Sequence, residues 1–292
     1  MQLDLGLAAP AARIVVLGSG SGGNALVVES GSRRLIIDAG FSCREIESRL
    51  RQCQVDCESF DGLVLTHEHG DHTRGAARFA KRHDLAVYAT TGTLSELELE
   101  AKGVSTCEIR SGQALEVGQF IVEPFDIPHD AREPVGFVVE DGAGHRVGLA
   151  ADLGTWSQLV WGRLADLDAL VLETNHDLEM LRSGPYPWPL KQRVAGRHGH
   201  LSNAEAARGL PDLLGDRLKW VVLYHLSRTN NLPALALEAV GEAVNRCGAA
   251  AQICVSDQGR PTPWLDLEAL TAPDTPLPAE LDRTGGDPIQ GL

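Results

Sequence analysis

An α/β fold is predicted by three observations. Short runs rich in β-branched residues, such as RIVVL, ALVVE and WVVLY, recur along the chain, and runs of this kind bounded by Gly, Asn and Asp form buried strands. Segments with apolar residues three and four apart, as in residues 43–52 and 232–247, have the period of helices that bury one face. The two kinds alternate from residue 13 to residue 255 with no short-period repeat, which gives strand-rich halves each followed by helices.

In order, residues 13–17 (RIVVL), 25–29 (ALVVE) and 34–38 (RLIID) are strands. Between the first two lies Gly18-Ser19-Gly20-Ser21-Gly22-Gly23, which formally matches the G-x-G-x-x-G of dinucleotide sites. Such a site needs a helix to open at the glycines and an acid about 20 residues further on. Here Asn24 and a strand follow instead, so a tight turn between antiparallel strands accounts for the glycines. Residues 43–52 are helical, with Ile46 and Leu50 on one face. A short apolar strand at 63–66 (LVLT) leads to a helix at 73–83 and a strand at 86–89. Strands at 120–122, 135–140 and 147–150 come next, then a segment at 164–173 that joins a short helix to the strand ALVLE. A helix at 204–214, a strand at 220–224, a long helix at 232–247 and a strand at 251–255 end the pattern. Residues 1–12 read as a flexible N-terminus and 13–258 as one domain. From Gly259 prolines dominate, and 259–292 is expected to be a disordered or loosely draped tail.

With 292 residues, 43% of them hydrophobic, the chain can bury a full core. Its net charge of −14 argues against binding nucleic acid or anionic membrane over the whole surface, so a polyanionic substrate must be attracted locally. No run approaches the roughly 18 apolar residues of a membrane span, and the first residues lack the basic start of a secretory signal. The six cysteines form no C-x-x-C pair and read as reduced thiols of a cytoplasmic protein.

The strongest signal is Thr66-His67-Glu68-His69-Gly70-Asp71-His72, which lies between a strand and a helix. A loop at that place can turn His67 and His69 toward one ion, and Asp71 and His72 toward a neighbouring position. Imidazole with carboxylate suits zinc, manganese or iron. Further ligand types stand at the tips of other buried strands, where the active sites of α/β folds gather. These are His129 in IPHD, Asp152 in LAADLG and His225 after WVVLY.

This order and spacing resemble the metallo-β-lactamase superfamily, whose five motifs match residues from Asp38 to His225. The resemblance implies an αββα four-layer sandwich and two divalent metal ions, zinc or manganese. It assigns His67, His69 and His129 to the first metal site, Asp71, His72 and His225 to the second, and Asp152 to the bridging position, with Asp38 as a supporting aspartate. Histidine at position 69, where the di-iron oxidoreductases of the superfamily carry glutamate, places the chain with the hydrolases. The stretches LGSGSGGN, DAREPVGF, LETNHD, YPWPLK, GHLSN and HLSRTNN are similar to the YycJ/WalJ branch of bacterial members, regarded as DNA exonucleases or phosphodiesterases. The likeness runs over residues 13–257, and two small departures, Gly23 and Thr174, touch no metal ligand.

The residues themselves point to a phosphate substrate. Between Arg182 and His200 there is no Asp or Glu in a chain that has 40 of them. That window holds Lys191 and Arg193 interleaved with Tyr186 and Trp188, which offers charge for phosphates and rings for bases. Two divalent ions, two carboxylates and a hydroxide leave the site itself net positive, so local attraction can coexist with the acidic surface. The expected chemistry is phosphodiester hydrolysis, with DNA as substrate, by a metal-bridging hydroxide. Lowering the pKa of water from about 15.7 to about 7 is worth roughly 12 kcal/mol of deprotonation cost. Asp71 is assigned to catalysis as well as to metal binding. His200 and His176 are candidates for contacting phosphate or protonating the leaving oxygen, and Ser202 and Asn203 either contact substrate or cap the next helix. Three alternatives share the motifs: an RNA nuclease or cyclic-phosphate phosphodiesterase, a small-molecule thioester or lactone hydrolase of the same fold, and a non-catalytic metal-stabilised scaffold.

Overall fold

Strand β1 (Ala12–Gly18) runs antiparallel to β2 (Ala25–Ser30), and β2 to β3 (Arg33–Ile37), in the computed structural model, which describes residues 12–268. The glycine-rich loop thus joins two strands and opens no helix. Helix α1 (Cys43–Gln52) starts at Ser42, whose side chain accepts from the Glu45 N–H. A 3₁₀ turn then leads into β4 (Phe60–Val64), parallel to β3. The short helices α2 (Gly70–Thr73) and α3 (Ala76–Arg82) follow, then β5 (Val87–Thr90), α4 (Thr91–Leu97) and β6 (Thr106–Ile109).

The second half begins with a meander, β7 (Leu115–Val117), β8 (Phe120–Asp126), β9 (Val135–Glu140) and β10 (Arg146–Ala150). It continues through α5 (Gln158–Arg163), β11 (Ala169–Glu173), α6 (Leu178–Ser183), α7 (Trp188–Val194), α8 (Asn203–Gly209), β12 (Trp220–Tyr224), α9 (Pro233–Cys247) and β13 (Gln252–Val255). The neighbours β10, β11, β12 and β13 are parallel. A last short strand, β14 (Leu265–Asp266), returns to pair with β1. The strand orders are β14-β1-β2-β3-β4-β5-β6 and β13-β12-β11-β10-β9-β8-β7.

The strands read as unbroken apolar runs because both faces of each sheet are covered. Successive side chains point to opposite faces. In β1, Ile14 and Val16 join the core between the sheets, while Val15 and Leu17 pack under α1 and α3. In β12, Val222 and Tyr224 face the central core, while Val221 and Leu223 pack against α8 and α9. Helices over both outer faces complete the αββα sandwich.

Some boundaries differ from the sequence expectation. The helix expected at 73–83 is two short ones, because the Asp71 carbonyl accepts from the Asn24 N–H and the Gly75 N–H donates to the Ala39 carbonyl, both 2.8 Å. A Cβ on Gly75 would lie 2.1 Å from the Phe41 carbonyl oxygen, so only glycine fits there. The helix expected at 204–214 stops at Gly209, ahead of Pro211. The short helix expected after Leu164 lies just before it, as α5, with Leu164 as its C-cap.

The first residues of the expected tail pack against β1. Thr262 donates its N–H to the Val16 carbonyl, Leu265 pairs with Ile14, and Trp264 lies under the Arg13 guanidinium at 4.2 Å. Prolines are compatible with such an edge strand, where one side needs no donors. The rest of the expected tail, and the N-terminus before Ala12, lie outside the described residues.

Candidate metal centre and active site

Seven predicted ligand side chains come together where the strand tips of the two sheets meet. The loop after β4 carries His67, His69, Asp71 and His72; β8 leads to His129, β10 to Asp152 and β12 to His225. A cleft of about 230 Å³ opens onto them. Gly40 makes room for the ligand loop, since a Cβ there would sit 1.6 Å from the Asp71 carbonyl oxygen.

Most of the rings are held by one nitrogen and present the other to a shared space. His72 Nδ1 is 2.7 Å from Asp38 Oδ2, and its Nε2 is 2.8 Å from Asp152 Oδ2. His67 Nδ1 is 3.0 Å from Thr66 Oγ1, whose own backbone N–H donates to Asp38. His129 Nδ1 is 3.2 Å from the Gly199 carbonyl. His225 Nδ1 is 3.0 Å from Glu173 Oε1, and its Nε2 is 3.2 Å from Asp71 Oδ2. Supporting contacts of this kind fix the orientation and tautomer of metal-binding imidazoles.

The donor set fits divalent cations. His69 Nδ1 has His67 Nε2 at 3.0 Å and His129 Nε2 at 3.3 Å. The His129 Nδ1–H is spent on the Gly199 carbonyl, so its Nε2 brings a lone pair to this meeting of nitrogens, which an ion between them would relieve. Asp152 Oδ2 is buried and makes no hydrogen bond among the described residues, although His72 Nε2 lies beside it. A second group, Asp71, His72 and His225, clusters as tightly, and Asp152 lies between the two groups.

Charge follows the same division. Burial holds His67 well below its usual pKa and lowers that of His129, leaving neutral imidazoles suited to a metal. At His72 and His225 burial also disfavours the charged form, but neighbouring carboxylates outweigh it. They hold His72 well above its ordinary value and raise His225 to about 9. Asp152, despite burial, is held well below the carboxylate range, by His225 and His72 first. The carboxylates thus keep protons on His72 and His225 that a cation would displace on binding.

Of the predicted substrate residues, the structure turns some to the cleft and others away. His200, Tyr186 and Arg193 line it, and Arg193 Nε donates to Asp130 Oδ2 at the mouth. Trp188 is 66% exposed on α7, outside the lining, and Lys191 donates its Nζ–H to the Arg182 carbonyl. Ser202 and Asn203 lie off the cleft lining. Both are buried, Ser202 forms a capping box with Glu205 at the start of α8, and Asn203 pairs with Asn231. His176 is fully buried off the cleft lining, and neither ring nitrogen has a hydrogen-bond partner among the described residues.

The residue that sequence reasoning missed is Glu173, at the tip of β11. Its Oε1 lies 2.7 Å from His200 Nδ1 and 3.0 Å from His225 Nδ1, and its Oε2 accepts from the Leu201 N–H. The signal was present, since an acid ending the apolar run ALVLE has the setting that singled out Asp152 and His225. Ser19 and Asn24 of the glycine-rich loop also reach the site: Ser19 Oγ accepts from the His225 N–H, and Asn24 Nδ2 lies 3.1 Å from His72 Nε2.

Comparison with known proteins agrees with this geometry. The family model described as a beta-lactamase superfamily domain matches residues 33–225. The chain is 35% identical over 236 residues to exodeoxyribonuclease YycJ of Bacillus anthracis, covering 80% of this chain and 89% of the relative. It is 34% identical over 229 residues to exodeoxyribonuclease WalJ of Streptococcus pneumoniae, covering 76% and 84%. The metallo-beta-lactamase fold protein YhfI of Bacillus subtilis superposes with a TM-score of 0.68 at 18% identity, over 87% of this chain and 99% of that one, which speaks for the fold alone. The chain is therefore a hydrolase of the beta-lactamase superfamily and belongs to its YycJ/WalJ branch.

Proposed function

We propose that this hydrolase cleaves phosphodiester bonds at the ends of DNA strands, using two divalent ions, zinc or manganese. His67, His69 and His129 would hold one, Asp71, His72 and His225 the other, with Asp152 between. Bound there, such ions supply Lewis acidity toward a phosphoryl oxygen and a water of lowered pKa. The observation that carries the phosphate reading is that Tyr186, Arg193 and His200 line the same cleft as the donors. Arg193 can leave Asp130 for a phosphate, to which its planar fork is matched. Tyr186 offers a ring face to a base.

In this reading His200 gives a proton to the leaving oxygen. Its Nδ1 lies 2.7 Å from Glu173 and 3.2 Å from Asp152. Burial opposes the charged ring, but these carboxylates raise its pKa well above the ordinary value. The proton on Nδ1 is thereby engaged, and Nε2 is the nitrogen left for the substrate. The names of the YycJ and WalJ relatives support DNA as the substrate.

The test is metal analysis of the purified protein together with its activity on 5′-phosphorylated single-stranded DNA, matched RNA and a thioester, with manganese or zinc. Stepwise loss of nucleotides from DNA, abolished by His67→Ala, is the expected result. Thioester cleavage with both nucleic acids intact would sink the reading.

A further inference from the structure

In the helical layer over the first sheet, a second group of ligand-type side chains lies apart from the cleft. Cys43 opens α1 and Glu47 lies one turn on, so the two share a face of the helix. His83 caps the C-terminal end of α3 beside them. Cys43 Sγ is 3.4 Å from Glu47 Oε1, and His83 Nε2 is 3.1 Å from the same oxygen. One donor atom from each lies within 4.8 Å of the others, with Cys43 and Glu47 buried and His83 half-buried.

We infer that Cys43, Glu47 and His83 form a second, thiolate-containing metal site, suited to zinc, that braces α1 against α3. It is independent of the cleft and of the reaction proposed there. The two separations to Glu47 Oε1, 3.4 and 3.1 Å, are close to those of ligands sharing an ion, and the third is within 4.8 Å. Tetrahedral zinc with bonds of about 2.3 Å to sulfur and about 2.0–2.1 Å to nitrogen and oxygen sets neighbouring donors roughly 3.3–3.5 Å apart.

The charges also match. One thiolate, one carboxylate and a neutral imidazole neutralise a dication, and the thiol proton leaves to solvent as the ion binds. In the metal-free arrangement the thiol and the imidazole both converge on a single carboxylate oxygen, so one ion can take the place of their hydrogen bonds. Arg82 competes, with its Nε 3.1 Å from the same oxygen, but its side chain is 64% exposed and can turn to solvent. Sulfur with imidazole selects zinc, cobalt or iron over magnesium and calcium.

The position gives the brace a purpose. The Ala39–Ser42 segment between Asp38 and α1, and the loop from His67 to His72 ahead of α3, are bonded to each other through Ala39 N–H to the His72 carbonyl. Joining the two helices behind them would hold both segments in place.

Cobalt distinguishes this site from the cleft, whose donors are all nitrogen and oxygen. Titration of the metal-stripped full chain with cobalt should give a thiolate-to-cobalt charge-transfer band in the near ultraviolet. The band should persist in a His67→Ala/Asp152→Ala variant and disappear in Cys43→Ser. Absence of the band in the wild-type chain, or its survival in Cys43→Ser, overturns the proposal. Should Cys43→Ser fail to fold, His83→Ala decides: it should weaken the sulfur-linked cobalt by more than the roughly 10- to 100-fold expected for loss of a supporting residue. An unchanged titration overturns the site just as firmly.

Discussion

Glu173→Gln probes the site through a residue that does not line the cleft. The carboxylate is fully buried, and its three hydrogen-bond partners are His200 Nδ1, His225 Nδ1 and the Leu201 N–H. Glutamine keeps the shape but offers one acceptor oxygen and one NH₂. With the NH₂ in place of Oε1, two ring N–H groups face another donor. With it in place of Oε2, the Leu201 N–H loses its partner, and the negative charge is gone either way. A hydrogen bond to a charged group contributes about 1.5–3 kcal/mol. At 1.36 kcal/mol per factor of ten that is roughly a 10- to 150-fold change, close to the 10- to 100-fold effect typical of residues that support metal ligands. We expect kcat/KM on a chromogenic aryl phosphodiester to fall about 30-fold at saturating metal. The loss should lie in kcat, because Glu173 does not itself line the cleft and acts through the two rings it holds. Metal affinity should weaken in parallel through His225. Wild-type kcat with wild-type metal content would refute the idea that Glu173 positions these two rings.

Four other perturbations test separate parts of the structure. Arg193→Ala should raise KM for DNA with kcat held, and reduce the slope of log affinity against log salt by about one, as expected for one lost phosphate contact. Phe79→Ala, at a fully buried ring edge-on to Phe60, should cost about 3–5 kcal/mol in urea unfolding. At Asp168 burial raises the carboxyl pKa, but hydrogen bonds from Arg217, the Arg146 N–H and Lys219 outweigh it and lower the pKa overall. A depressed folded-state pKa stabilises above the unfolded value of about 3.9. Asp168→Asn should therefore destabilise by about 2 kcal/mol at neutral pH, and the gap should close as pH falls through the folded-state pKa. In the metal-free protein His225→Gly should be about 1 kcal/mol more stable than His225→Ala, because the position is left-handed at φ 57°; thermal unfolding of the two variants compares them.

How far the sequence discloses this site depends on the kind of signal. His67, His69, Asp71 and His72 announce themselves because four ligand types fall within six positions. His129, Asp152 and His225 are legible because a polar residue ending a buried run needs a reason to be there. Glu173 satisfies the same rule, yet its role depends on β11 and β12 being parallel neighbours in a register that sets Glu173 beside Tyr224. That register, which brings His225 within reach, is not written in either strand alone. Ser202 carried the opposite hint, since Ser-x-x-Glu at 202–205 is a capping-box spacing and capping consumes the side chain. The segment 182–200 reads as a basic, aromatic window with no helix assigned to it, but Pro187 and Pro189 at the start of α7 are where a helix tolerates proline. Its charges were visible; their direction was not, because only the folded helix decides that Arg193 faces the cleft and Lys191 reaches back to Arg182.

The backbone shows what it takes to aim these side chains. Seven described non-glycine residues have positive φ, and three are Asp38, Asp152 and His225, each just past the end of β3, β10 or β12. A left-handed residue there breaks the strand's alternation and turns the side chain toward the gap between the two halves. Aspartate and histidine tolerate this conformation better than branched or bulky residues, so these residue types suit the turn as well as the chemistry. The remaining strain is held by what surrounds it. Asp38 is anchored to Thr66 and His72, and the His225 N–H to Ser19 across the two sheets. Conformations of this kind persist only where their surroundings over-determine them. The central core between the sheets is therefore part of the site: it fixes the distance between Asp38 on one sheet and Asp152 and His225 on the other, to which every donor in the cleft is referred.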